Sequence, residues 1–196
     1  MRTVPLLLAA LALGTAPQTL HAAAWSEVRI SDIGGNPVHA AELADTPWTV
    51  FVFIARECPV ANRSAPELNR LHREYSGRDF SLHGVYVDID AGEEALHAHA
   101  AEYGLGFPFW RDDDRALVRF TGARVTPEAV IVDRSGKVHY RGSVDDRFGG
   151  FGQSRPAPTR RDLEEAMEAL AAGDAPRAAD EPGFGCPIPE VAGETR

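Results

Sequence analysis

Past residue 25 the apolar positions of the chain switch repeatedly between strand and helix periods. Thr49-Val50-Phe51-Val52-Phe53-Ile54 is an unbroken run of β-branched and aromatic residues, the pattern of a central strand buried on both faces. From Cys58 to about Tyr75 the spacing turns helical, with Leu68, Leu71 and Tyr75 at i, i+3 and i+7. Phe80 to Ile89 predicts a second strand. Ala91 to Tyr103 predicts a helix with Leu96, Ala100 and Tyr103 on one stripe. Phe107 to Trp110 reads as a short strand, followed by a helix through Ala116, Leu117 and Phe120. Ala129 to Val132 and Lys137 to Tyr140 flank Asp133-Arg134-Ser135-Gly136, which reads as a hairpin turn. Thr159 and Asp162 resemble a capping box that opens the last helix. Leu163, Met167 and Leu170 are its buried stripe, and Gly173 ends it. Ahead of all this, residues 26–44 read as a short hairpin turning at Gly34-Gly35-Asn36-Pro37.

Strands and helices alternating around one sheet make an α/β domain, expected over residues 25–173. Two stretches carry no period. Gly142 to Pro158, with Gly149, Gly150 and Gly152, reads as a long loop. Asp174 to Arg196 reads as an irregular Pro/Gly/acidic tail.

Composition narrows the function. At 196 residues and 44% hydrophobic content, the chain has room for one ordinary globular domain and a tail. A formal charge of −9 and the lack of a basic patch speak against nucleic acid as a partner. Residues 1–24 read as a secretory signal peptide. Arg2 is the positive n-region, Val4 to Leu13 the apolar segment, and Ala22-Ala23-Ala24 the cleavage site before Trp25. The apolar segment is well short of the roughly 20 residues a spanning helix needs. The mature chain is therefore expected to be exported without a membrane span, into a bacterial periplasm. Disulfides persist in such a compartment.

The redox question is confined to two sulfurs, Cys58 and Cys186. Cys58 follows the buried run and opens a helical pattern. Unpaired N–H groups and the positive helix end both favour its thiolate there. A lone cysteine after a buried strand is often only a small hydrophobe. The flanking Arg56, Glu57 and Pro59 instead suggest a surface turn and a functional thiol.

The chain here resembles the thioredoxin superfamily. Cys58 lies at the strand-to-helix junction, Ala65-Pro66 matches a helix-kinking Ala-Pro, and Val125-Thr126-Pro127 precedes a hairpin where those proteins carry a cis-proline. The additional strand and helix between Phe107 and Thr121 look like the redoxin branch, the AhpC/TSA-like and TlpA-like proteins. The resemblance spans roughly Val28 to Ala172. It implies a thioredoxin-like fold with a central mixed sheet, Cys58 as nucleophile, and a substrate groove lined by Arg56, Glu57, Pro59, Thr126 and Pro127.

Several positions depart from that pattern. Ala61 stands where dithiol relatives keep a second cysteine, and Glu57 replaces the aromatic residue before the first. Glu57 should oppose the Cys58 thiolate, and Arg56 should favour it. The peroxiredoxin helpers are absent: Phe51 and Ala55 occupy the Pro and Thr positions, and the activating Arg position falls at about Pro127, with Arg124 nearby. No cofactor is implied and no metal site. His97 and His99 face apart on their helix. Asn62 replaces the second cysteine of a copper-chaperone pattern, and no His lies near Pro127.

Cys186 sits in the island Gly183-Phe184-Gly185-Cys186-Pro187-Ile188. As in some peroxiredoxins, it is a candidate resolving thiol for Cys58. It would serve equally as a structural disulfide partner, or remain free or bound to another protein. Three functions follow as expectations. The first is a thiol–disulfide oxidoreductase acting on a protein disulfide or thiol and recycled by a thiol reductant. The second is an antioxidant peroxidase acting on a small peroxide. The third is a non-catalytic binding module using a groove near Asp145 to Gly152. Asp145-Asp146-Arg147 itself reads as a solvated turn with an internal salt bridge.

Overall fold

The computed structural model describes residues 24–150, 152–177 and 183–190. The signal-peptide reading of residues 1–24 falls almost wholly outside them. In chain order the elements around the site are β1 (Arg29–Ser31), β2 (Pro37–His39), β3 (Trp48–Ile54), α1 (Pro59–Tyr75), β4 (Phe80–Tyr86), α2 (Glu93–Glu102), β5 (Phe109–Arg111) and α3 (Ala116–Thr121). Then follow β6 (Val125–Thr126), β7 (Glu128–Asp133), β8 (Val138–Gly142), β9 (Phe148–Gly150), β10 (Gln153–Ser154), α4 (Asp162–Ala171) and β11 (Cys186–Pro187).

One mixed seven-stranded sheet runs in the order β2-β1-β5-β4-β3-β7-β8. β3 lies parallel to β4 and antiparallel to β7. It is fully interior, which is why its sequence has no polar face. Val50 and Val52 point into one core with Leu68, Leu71, Ile131 and Met167. Phe51 and Phe53 point into the other with Val85, Val130, Leu117 and Trp25. Helices cover both faces of the sheet, and the architecture is thioredoxin-like. No helix among the described residues is long and apolar enough to cross a membrane.

Chain direction places the site. β3 and β4 are parallel, so their C-terminal ends open on the same edge of the sheet. The loop carrying Cys58 and the loop carrying Asp88 emerge side by side there. β6, immediately before β7, comes to that edge from the other side of β3.

Two expectations change. Thr159 does not cap α4. The helix begins at Asp162 with no side-chain cap at Arg161, while the Thr159 hydroxyl and N–H both bond the Asp146 carboxylate. A nearby carboxylate outside the helix captured the capping residue. The stretch from Gly142 to Pro158 is not merely a loop, because β9 and β10 pair antiparallel within it. Its glycines hid that hairpin by removing the side-chain alternation that marks a strand.

Candidate active site

Cys58 is the N-cap of α1, with extended backbone (φ −85°, ψ 106°) and Pro59 at the first helical position. Proline fits there because its missing N–H would have had no partner in the helix. Cys58 O accepts the Asn62 N–H at 3.0 Å, closing the first turn.

The preceding loop is tied to β4's end. Arg56 N–H donates to both Asp88 carboxylate oxygens, at 3.2 and 3.1 Å. The Arg56 guanidinium also turns to Asp88, with Nε 3.9 Å from Oδ1. Arg56 therefore serves loop geometry, contrary to the expectation that it favours the Cys58 thiolate. Burial pushes the Asp88 carboxyl up, partly offset by the Arg56 N–H and charge. Glu57 and Pro59 are exposed at the rim.

A second set of bonds runs behind the loop. Asn62 Nδ2 donates to Arg56 O at 2.8 Å, and Asn62 Oδ1 lies 2.9 Å from His99 Nε2. His99 Nδ1 lies 2.8 Å from the Tyr86 hydroxyl. Burial holds the His99 imidazole below its usual range. The neutral ring then donates from Nε2 to Asn62 and accepts from Tyr86. Spacing separated His97 from His99 correctly, but these partners come from three different elements and no local signal marks them.

Across the groove, the Thr126–Pro127 bond is cis. The Cys58 thiol donates to Thr126 O at 2.9 Å. On this same strand the tail returns: β11 pairs antiparallel with β6, Cys186 opposite Thr126 and Pro187 opposite Val125. Ile188 N–H donates to Arg124 O at 2.9 Å, and Arg115 Nε donates to Pro189 O at 3.3 Å. The segment 183–190, read from sequence as part of an irregular tail, is a strap across the cis-proline loop. It leaves Cys58 only 2% exposed. The surface turn expected from its neighbours is real, but the thiol itself lies beneath the tail.

The strap brings the two thiols together unbonded. Burial pushes the Cys58 thiol up. Hydrogen bonds from the Cys186 side chain, the Thr126 side chain and the Ala61 N–H outweigh that and hold it below its usual value. Cys186 moves the opposite way, pushed up to about 12 by burial, then by its hydrogen bond to Cys58 and by the charge there. Of the two, Cys58 is therefore the more readily ionised thiol and Cys186 the less.

Asp145 is the other correction. Its side chain is buried, not solvated, and accepts the Arg147 N–H at 2.9 Å and guanidinium at 3.1 Å. It lines a recess with Val60, Ser64, Pro127, Ser143 and Phe148, and Phe184 of the tail forms part of the same lining. Arg124 is exposed, and its N–H donates to buried Glu128 at 2.6 Å. Among the described residues no group of three His, Cys, Asp or Glu side chains could hold a metal ion.

Comparison with known proteins agrees with this geometry. The AhpC/TSA family matches residues 21–141. A hypothetical protein from Sinorhizobium meliloti is 28% identical, with a TM-score of 0.70 over 84% of this chain and 91% of its own. An uncharacterised conserved protein from Geobacillus kaustophilus is 25% identical, with a TM-score of 0.71 over 85% of this chain and 89% of its own. A secreted disulfide oxidoreductase from Mycobacterium tuberculosis shares the fold at 18% identity, with a TM-score of 0.52 over 72% of this chain and 94% of its own. No curated protein matches the chain. The family match takes in both walls of the Cys58 groove, from the β3 junction through the cis-proline to β8, and the chain belongs to the AhpC/TSA family, in the redoxin branch of the thioredoxin-like proteins.

Proposed function

We propose that this protein is an exported thiol–disulfide oxidoreductase in which Cys58 attacks and Cys186 resolves. The observation that carries the reading is the juxtaposition of the two cysteines: β11 pairs with β6 so that Cys186 stands opposite Thr126, the residue whose carbonyl the Cys58 thiol contacts. Cys58 thiolate attacks one sulfur of a substrate disulfide. A Cys58–substrate bond forms, and the other substrate sulfur leaves as a thiolate. Cys186, deprotonated, then attacks the Cys58 sulfur and releases the substrate's second thiol. The site ends as a Cys58–Cys186 disulfide, which an external thiol reductant returns to the dithiol. The same steps in reverse oxidise a substrate dithiol.

The electrostatics order these steps. Two of the three influences that raise Cys186 come from Cys58 itself, its hydrogen bond and its charge. Both vanish once Cys58 enters a mixed disulfide. Burial, the largest of the three, remains, so Cys186 becomes easier to ionise once Cys58 has reacted but keeps part of its raised pKa.

The family match supports a second reading, in which Cys58 reduces a peroxide to form a sulfenic acid that condenses with Cys186. Phe51 and Ala55 in place of the helper residues, and an exposed Arg124, make the disulfide reading the stronger one.

The test uses the purified protein and its Cys58→Ser and Cys186→Ser variants. Offered a disulfide substrate, Cys186→Ser should accumulate a mixed disulfide at Cys58, seen by mass spectrometry, and Cys58→Ser should not. Sulfenic acid at Cys58 with stoichiometric peroxide, followed by thiol-driven turnover, would select the peroxidase. A native Cys58 inert to peroxide, disulfides and alkylating agents would sink both enzymes and leave a binding module.

A further inference from the structure

The strap also records which kind of segment the Cys58 groove accepts. A Cβ on Gly185 would lie 2.2 Å from Thr126 O and 2.8 Å from its carbonyl carbon. Backbone cannot yield that far, so only glycine permits this approach. Phe184 forms part of the lining of the recess beside Asp145 and Pro127. Ile188 packs against the core that holds Phe51 and Val130. Pro187, between them, is exposed. An aromatic residue, a glycine, the cysteine and an apolar residue two places on are thus each read by a different feature. Main-chain pairing with β6 supplies the rest, as in recognition of an extended peptide by a strand edge.

Building on the oxidoreductase reading, we propose that the β6 edge beside Cys58 is a docking groove for an extended, cysteine-bearing segment of a partner protein. That segment has glycine immediately before its cysteine, an aromatic residue before the glycine, and an apolar residue two after the cysteine. The chain's own residues 183–188 fill the groove and are displaced by it. The strap is held lightly enough to exchange: its pairing with β6 covers two residues, two further hydrogen bonds tie Ile188 and Pro189, and Phe184, Cys186 and Ile188 are all only partly buried.

The test uses the full chain carrying Gly185→Ala, which cannot seat the strap, together with Cys186→Ser, which leaves one reactive thiol. The probe is the peptide Gly-Phe-Gly-Cys-Pro-Ile-Pro, its cysteine joined by a disulfide to 2-nitro-5-thiobenzoate. Cys58 thiolate attacks the peptide sulfur, the Cys58–peptide bond forms, and the coloured thiobenzoate leaves as a thiolate. The parent peptide should react about tenfold or more faster than peptides with alanine replacing the glycine before the cysteine or the phenylalanine, as a steric or packing defect of this size implies. Glutathione carrying the same leaving group sets the baseline. Peptide rates equal to that baseline, with Cys58 reactive, overturn the groove and leave the oxidoreductase standing. No release from any carrier overturns both. If the double variant does not melt cooperatively, Phe184→Ala with Cys186→Ser frees the strap by another route and is judged by the same rates. A stable dimer of the Cys186→Ser chain through exchanged tails would overturn the partner and assign the groove to a second copy.

Discussion

Oxidising the Cys58–Cys186 pair is the perturbation whose size the structure constrains most closely. The bridge would close a loop of roughly 130 residues, for which chain entropy gives about 4.9 kcal/mol at 25 °C. The reduced state keeps something that oxidation removes, surroundings that favour the charged form of Cys58 through Cys186, Thr126 and the Ala61 N–H. A hydrogen bond to a charged group is worth roughly 1.5–3 kcal/mol. Burial opposes the same thiolate, so we count one such bond as the net loss. The oxidised protein should then be more stable by about 2–3.5 kcal/mol, which in a domain of this size raises Tm by about 4–14 °C. By the same cycle, folding should lower the reduction potential of the pair by about 40–75 mV relative to the unfolded chain. Calorimetry of the oxidised and reduced protein measures the first figure, and equilibration against a thiol buffer the second. An oxidised form that melts no higher than the reduced one would mean that the thiols do not meet. A gain of the full entropy figure or more would mean that the reduced site stabilises no thiolate, and Cys58–Cys186 would then be a structural bridge.

Two further predictions concern the scaffold. Burial holds His83 down to about 4, against 6.5 for the free side chain, and Trp110 Nε1 donates to its Nδ1 at 3.1 Å. The unfolded chain takes up that proton first, so stability is full above pH 6.5 and falls as the pH drops toward 4, by about 3 kcal/mol at the limit; urea midpoints at pH 7 and pH 4.5 should differ less in His83→Gln, and an unchanged difference would refute the assignment. Cleavage after Ala24 would leave Trp25 as the first residue, which is 2% exposed and packs its ring 6.3 Å from Phe51 and 5.1 Å from Phe120. The mass of the protein recovered from a bacterial periplasm should therefore begin at Trp25, and an intact Met1 terminus would remove the export reading.

What the sequence revealed and what it hid follow from the range of the interactions. The run Trp48–Ile54 is legible because a strand buried on both faces has no polar positions to blur it. The turn at Asp133–Gly136 is legible because its chemistry is local: the Asp133 carboxylate takes the Ser135 N–H and hydroxyl, and Gly136 has a positive φ of 80°. The junction at Cys58-Pro59 is visible for the same reason, whereas the cis bond at Thr126–Pro127 is legible only through the resemblance that Val125-Thr126-Pro127 carries. Asp145 was misread because its burial depends on Val60, Ser64 and Phe184, which come from distant parts of the chain. The links from Asp88 to Arg56 and from His99 to Asn62 lie 32 and 37 residues apart. β11 is shorter than any periodic signal. Its one local trace is the Gly183-Phe184-Gly185-Cys186 island, and the approach of Gly185 to Thr126 supplies the reason for its glycine.

The alanine at position 61 is the departure from the dithiol pattern that gives this site its character. Its N–H, in the first turn of α1, still favours the charged form of Cys58, while its side chain is buried in the core. In the proposed mechanism the helix keeps its half of the task, favouring ionisation of Cys58, and leaves the resolving step to Cys186. Cys186 comes from the opposite wall on β11, held by two paired residues and by the bonds of Ile188 N–H to Arg124 O and of Arg115 Nε to Pro189 O. A resolving cysteine within α1 could not withdraw without unwinding the helix. Cys186 can withdraw by unpairing β11, and the same motion uncovers Cys58, opens the Asp145 recess and frees the β6 edge. Under the proposed mechanism, entry of a substrate and departure of the resolving thiol would be one event, and return of the strap after Cys58 has reacted would bring Cys186 to the mixed disulfide.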